Sequence, residues 1–411
     1  MKRTALGFLL LLAPFALMAR TRAMRSGPVD SPAAWLRHQA LSHDSLARKV
    51  AHSDVVALGD VTHATHETYA AKQAIVPLLV ARGFRVLAFE APYSEYKALD
   101  EYVRHGTGDP AAALNVPLYW FWDTNEILDL IRWARTQNAA GLTPPIRIAG
   151  IDPTSPRVTA AEVIAYLERV DPPFAAEVAS IYHCIREGYK GTNRCRTKIA
   201  SVRLSISMRR EAYVLASSLD EYEELLHAAC VVEQGERVLA EGMPARDEPM
   251  AENVLRFVQR GQKVIVLGHN EHWGRTPYQL ATASLHPSAG SRLAAALGDR
   301  YFVLGSVIRD GAFHAVQYEA GMRRAWIRTH TLPAPTTLDD YGLLFAQAEL
   351  PSMIVSLRGP LPPWLAGTRS YRFAGSGVPA LEVPADFGTK FDAVLYVQTS
   401  TPTQLRHWPT F

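Results

Sequence analysis

Four segments of the chain place histidines and carboxylates directly after short apolar runs. Asp54-Val-Val-Ala-Leu58 is followed by Gly59, Asp60, His63, His66 and Glu67. The run 86–89 is followed by Glu90, and the run 146–149 by Gly150 and Asp152. Lys263-Val-Ile-Val-Leu267 is followed by Gly268-His269-Asn270-Glu271-His272. Only 14 histidines are spread over 411 residues, so scatter does not favour this coincidence. Each piece alone also has a structural reading, because Asp, Asn and His often cap helices and form turns. Asp60 either orients His63 or caps the next helix, and Asp152 either acts or bonds its own turn. Lys72 is either a solvated helix face or a cation reaching the site, and His272 is either a ligand or a structural histidine. Glu90 is the hardest to explain as structure, since a carboxylate at a buried strand end needs a partner or a shifted pKa.

Two chemistries fit such a His/carboxylate set. In one, a histidine deprotonates water as general base while a carboxylate sets its tautomer and charge. In the other, the same residues bind a divalent metal that acidifies water. The sequence has no G-x-S-x-G nucleophile elbow. It also lacks H-E-x-x-H, a Walker A loop and G-x-G-x-x-G.

The elements that must position these residues read as α/β. Short strands at 54–58, 86–89 and 146–149 alternate with helices at 67–82, 94–104 and 123–138. That alternation predicts a mostly parallel central sheet flanked by helices. From 158 to 260 strand patterns vanish and helical periodicity takes over (159–170, 174–187, 195–218, 220–241, 246–260), which predicts a helical insertion or side domain. Strands return at 263–267, 301–307, 352–357 and 391–397, with a helix at 339–349. Pro and Gly cluster at 359–379, which predicts a long surface loop. The division is therefore 32–157 and 261–411 as two parts of one α/β domain, with 158–260 inserted. In open α/β sheets ligands bind beyond the carboxyl ends of the strands, where all four chemical segments fall. Trp120-Phe-Trp122 reads either as lining of that cleft or as hydrophobic packing.

Charge argues against a nucleic-acid partner. Lys and Arg number 43 against 40 Asp and Glu, and four of the bases (Lys2, Arg3, Arg20, Arg22) lie in the first 23 residues. The remainder is balanced, whereas a nucleic-acid-binding domain keeps a basic excess. Residues 1–23, a basic start and an apolar run of sixteen, read as a signal peptide, so a periplasmic or secreted protein with no stable membrane insertion is expected. In an oxidising compartment Cys184 and Cys195 are expected to bridge, with Cys230 left over.

The segments also carry a family resemblance. Gly59-Asp-Val-Thr-His-Ala-Thr-His-Glu67 resembles the G-E-x-x-H-G-x-x-E opening motif of the erythromycin esterase family. GFRVLAFEAPYSE (83–95), RIAGIDP (147–153), RDEPMAENV (246–254), VIVLGHNEH (264–272) and FDAVLYVQTST (391–401) are similar to its later motifs, in order. The resemblance implies an α/β fold with a helical side domain, and metal-free hydrolysis of an ester or macrolactone without a cofactor, with macrolide inactivation as one such activity. It implies His63 as the general base, with Glu90 and His269 completing the core site and Asp60 at the motif's glutamate. Polarisation of the substrate falls to His269 with His272 or Lys72, and Glu67, Asp152 and Arg246 are expected on the substrate side. Three positions depart from the pattern: Asp60 is one methylene shorter than Glu, Ala64 replaces a glycine, and Lys72 stands where an arginine is expected. The partner expected is a small-molecule ester or lactone. A metal-dependent hydrolase using the same residues, and a non-catalytic exported protein that binds a ligand in the cleft, remain the alternatives.

Overall fold

The computed structural model describes residues 31–185, 193–279, 285–318, 325–337, 339–377 and 380–409. The expected export segment, 1–23, lies outside the described residues. A nine-stranded mixed sheet forms the centre. Its strands are β1 (Ala40–Leu41), β2 (Val55–Asp60), β3 (Phe84–Pro92), β4 (Arg147–Asp152), β5 (Lys263–His269), β6 (Tyr301–Tyr318), β7 (Ala325–Leu332), β8 (Ser352–Ser356) and β9 (Ala393–Ser400). The order is β1-β8-β9-β6-β2-β5-β3-β4, with β7 paired to β6. From β9 to β4 the strands run parallel, and β1, β8 and β7 add antiparallel pairings. Val55 to Leu58 and Val264 to Leu267 are buried throughout. Such continuous apolar runs are what a parallel sheet covered on both faces requires.

Helices α1 (His66–Val80), α2 (Lys97–His105) and α3 (Asn125–Ala139) follow β2 and β3. Ile75, Val76 and Leu79 form the buried side of α1. Helix α2 stops at Gly106, whose φ of 77° is the left-handed cap that glycine adopts without steric cost. After β4 come α4 (Pro156–Val170), α5 (Pro172–Tyr182), α6 (Asn193–Met208), α7 (Arg210–Ala216) and α8 (Leu219–Glu241). They share a second buried cluster around Val163, Leu167, Val178, Ile199, Val202 and Val232. Helix α9 (Asp247–Gln259) instead buries Met250, Ala251 and Val254 in the main core. Cys184 and Cys195 are joined as a disulfide, and Cys230 is a half-buried free thiol.

Two features differ from the sequence expectation. The stretch 359–379 is not a loop throughout: Arg369–Phe373 pairs antiparallel with Leu381–Ala385, and Tyr371 is fully buried. Its alternation of Tyr and Phe with Ser and Arg is a strand pattern that the flanking prolines and glycines obscure. Strand β6 also runs on to Tyr318 and pairs with β7, which was not anticipated. No described helix is long and apolar enough to cross a membrane. Thiol titration of the unfolded, unreduced protein should give one reactive thiol per chain, and three after reduction. Three before reduction would show that the bridge does not form.

Candidate active site

The four strands that end in chemical groups are neighbours in the sheet, in the order β2-β5-β3-β4. Asp60 and His269 are register partners at the ends of β2 and β5. Glu90 stands at the end of β3 and Asp152 closes β4. All four are buried. Gly268 makes this packing possible, because a Cβ there would collide with the Glu90 carboxylate and with Trp273.

His63 lies in the turn between β2 and α1, 4% exposed. Its ring stacks on Phe121 with centroids 4.0 Å apart and planes 10° from parallel. Trp122 meets it edge-on, and His269 lies 5.3 Å away, centroid to centroid. Asp60 Oδ2 is 3.7 Å from His63 Nδ1, while Asp60 Oδ1 is 2.6 Å from Lys72 Nζ. Lys72 is thus buried on the inner face of α1, beside the rings of Tyr69 and Trp122. Burial pulls its ammonium below the ordinary range, against the opposing pull of Asp60. Ala64, the residue after His63, has a φ of 55°, left-handed backbone that an alanine adopts only at a cost of about 1–2 kcal/mol.

His269 donates its Nε2–H to the Val61 carbonyl (3.2 Å) and accepts at Nδ1 from the Glu271 amide (3.3 Å). Burial, then the neighbouring His63 and His272, push its pKa well down, so it is neutral. Both ring nitrogens are committed to backbone, and Lys72 is committed to Asp60.

Glu90 is the hub of a second group. Its Oε2 accepts from the His269 amide at 2.7 Å and its Oε1 from Arg246 Nη2 at 2.8 Å. Burial alone would raise its pKa, but His272, Arg246 and His63 together hold it well below the carboxylate range. Arg246 also bonds Asp152 through Nη1. Its Nη2 lies 2.7 Å from His272 Nε2, which accepts, while His272 Nδ1–H donates to Asp247 at 2.9 Å. Asp247 and Glu90 raise the proton affinity of His272 despite burial and the nearby Arg246. Asp247 was not singled out from sequence, where it reads only as an acid in the first turn of α9. Arg246 and Asp152 spend their strongest contacts on each other and on Glu90. Glu67 turns out of the cluster, accepting from the Thr401 amide (2.8 Å) and hydroxyl (2.6 Å). Arg246 and Asp152 are thus braced at the Glu90 cluster, and Glu67 against the chain beyond β9. Among the described residues, no group of three or more His, Cys, Asp or Glu side chains is arranged to hold a metal ion.

The chemistry available is proton transfer at His63, a buried imidazole stacked on an aromatic ring beside the Asp60 carboxylate. Glu90 contributes to stability wherever it is ionised in the fold. That contribution is present above an ordinary glutamate pKa of about 4.3 and is lost as pH falls further. Glu90→Gln should therefore destabilise by about 3–5 kcal/mol at pH 7 in denaturant unfolding. Its deficit against the wild type should shrink as pH is lowered below 5, and an equal deficit at every pH would contradict the charge pairing.

The erythromycin esterase family matches residues 80–400 of this chain. Erythromycin esterase type II of Escherichia coli is 24% identical over 306 residues, 65% of this chain and 71% of that protein. A Bacillus cereus protein of known structure superposes with a TM-score of 0.78 at 24% identity, covering 92% of this chain and 98% of its own. A succinoglycan biosynthesis protein gives 0.77 at 20% identity, with 91% and 98% covered. A mutant of the erythromycin esterase EreC in its open conformation gives 0.71 at 17%, also with 91% and 98% covered. The three structures share the fold, and the family match takes in most of the sheet, the helical unit and all the site strands but β2. The chain belongs to the erythromycin esterase family, a membership that implies a hydrolase acting on esters.

Proposed function

We propose that the protein is an exported hydrolase that cleaves a small-molecule ester or lactone by metal-free, general-base activation of water at His63. The observation that carries this reading is the setting of His63. It is a buried imidazole with the Asp60 carboxylate on its Nδ1 side and an aromatic ring stacked on one face. A carboxylate there favours the tautomer that leaves Nε2 to take a proton from water, and stabilises the imidazolium that forms. Attack on an ester carbonyl places negative charge on its oxygen. That charge would be offset by the Arg246 guanidinium, whose N–H groups stay on Glu90, Asp152 and His272, with His272 beside it as a group whose proton affinity is raised. Glu90 holds both groups in place and His269 closes the floor between them and His63. Export is supported by the basic and apolar N-terminal sequence and by the Cys184–Cys195 bond, which suits an oxidising compartment. Macrolides are one substrate class within this reading, drawn from the named relatives.

The wild type and His63→Ala should be incubated with simple esters, lactones and 14-membered macrolides, with and without EDTA. Mass spectrometry should find addition of one water by the wild type, unaffected by the chelator. The variant should be slower by about 10²–10⁴-fold with its fold intact. Activity that EDTA abolishes and one metal restores would favour the metal-dependent alternative. Tight ligand capture without turnover would favour a binding protein.

A further inference from the structure

The two sides of the His63 stack come from distant parts of the chain and meet through a third. His63 sits in the 61–65 turn, and Phe121 sits in the 3₁₀ turn Pro117–Trp122. Beyond β9 the chain does not leave the molecule. It runs as a strap, residues 401–407, along both.

On the His63 side, the His66 amide donates to the Thr401 carbonyl (2.8 Å) and the Thr403 amide to the Ala64 carbonyl (3.2 Å). Thr65 and Pro402 form an antiparallel bridge. The strap therefore grips the one residue of this turn held in left-handed backbone, Ala64. Strained backbone persists only where its surroundings over-determine it. On the Phe121 side, the Asn125 amide donates to the Gln404 carbonyl (3.0 Å) and the Arg406 amide to the Asp123 carbonyl (3.0 Å). The Asp123 carboxylate is buried, 2% exposed. Arg406 Nη1 donates to its Oδ1 at 2.8 Å and His407 Nδ1–H to its Oδ2 at 2.5 Å. Arg406 Nη1 also donates to the Ala111 carbonyl (2.8 Å). A buried carboxylate of this kind is stable only with its partners, so Asp123 binds the strap as firmly as the strap binds it.

We propose that Asp123, with Arg406 and His407 of the strap, forms a positioning cluster that sets the Phe121 ring against the His63 imidazole. It rests on His63 as the reacting base for its kinetic consequence, but the stack itself is observable without turnover. Asp123 and Arg406 do not touch substrate. They act through the 119–124 segment, whose Asp123 amide closes the turn on the Trp120 carbonyl (2.9 Å) and whose Phe121 carbonyl accepts from the Tyr69 hydroxyl (3.0 Å). When Arg406 is lost, the buried carboxylate seeks water and carries that turn with it.

The experiment is NMR of the full chain labelled at histidine Cε1, with the His63 resonance identified by its absence in His63→Ala. A ring stacked at 4.0 Å shifts that resonance upfield, and Phe121→Leu defines its unstacked position. Arg406→Gln should move it to the Phe121→Leu position, and Arg406→Lys, which keeps the charge beside Asp123, should restore it. Leu167→Ala, a destabilising change in the helical unit, should leave it stacked. With an ester substrate in hand, Arg406→Gln should lower kcat by about a hundredfold while KM stays nearly constant. Should Arg406→Gln not fold, His407→Ala is read the same way, with a partial shift expected. A folded Arg406→Gln or His407→Ala that keeps the wild-type resonance overturns the proposal, as does a Leu167→Ala that loses it. Absence of turnover in every protein, with the resonance moving as described, would count against His63 hydrolysis and leave the positioning cluster standing.

Discussion

The Arg246 guanidinium is the interaction on which the working end of this molecule depends. It lies where α8 gives way to α9, so it marks the return of the chain from the helical unit to the sheet. Its two terminal nitrogens reach Asp152 at the end of β4 and Glu90 at the end of β3, and one of them also meets His272. One cation thus ties two strand ends, the H-N-E-H turn and the exit of a long insertion. Burying several charges is costly unless each is paired in good geometry. Here the cost is offset because Glu90 and Asp152 share one delocalised, bidentate donor, a task suited to Arg and not to Lys. The insertion is therefore not simply attached to the sheet. Its last residues complete the site.

A second layer of order is apolar. His63 is not held by a hydrogen bond at Nδ1 but by contact, with Phe121 against one face and Trp122 at its edge. Trp122 in turn donates its indole N–H to the Glu90 carbonyl at 3.0 Å. The aromatic turn thereby links the imidazole to the charge cluster without spending any titratable group. Behind the opposite side, Asn270 bonds the Ser306 carbonyl at 2.7 Å and the Tyr371 hydroxyl at 2.8 Å. That contact makes the hairpin at 369–385 a support for the H-N-E-H turn. The candidate site holds few residues, and their positions are set by segments from nearly the whole length of the chain.

How far this was legible in sequence follows from the range of each interaction. Seven of the sheet strands and the chemical groups at four of their ends follow from apolar runs and the residues after them, because a strand and its terminus are local. The family motifs brought Arg246 into view, but not its engagement with Glu90, 156 residues away. Asp247 stayed hidden because an acid in the first turn of a helix is ordinary. Trp120-Phe-Trp122 had two readings, and the structure joins them: the segment is buried packing and also the wall of the site. The hairpin Arg369–Phe373 and the strap beyond residue 400 were opaque for a different reason. The hairpin's strand pattern is masked by its prolines and glycines, and both segments support the site through contacts far back in the chain, such as Tyr371 with Asn270 and Thr401 with Glu67, which no local pattern encodes.

The pair at Asp60 and Lys72 has a physical logic of its own. An arginine facing a carboxylate tends to take both oxygens through its planar fork. The Lys72 ammonium is a point donor and lies 2.6 Å from Oδ1 alone. Oδ2 is left facing His63 Nδ1 at 3.7 Å, beyond hydrogen-bond distance. A lysine beside a shorter acid therefore divides the carboxylate between two neighbours, a buried ammonium and an imidazole. The ammonium offsets the charge of the acid, so the buried carboxylate beside His63 is not a bare anion. Burial, which weakens the hold of Lys72 on its own proton, makes that balance sensitive to anything that admits water to the site. In this arrangement the aromatic wall is part of the electrostatics. The rings of Tyr69 and Trp122 lie beside Lys72 and that of Phe121 covers His63, so the ion pair and the imidazole share one aromatic enclosure.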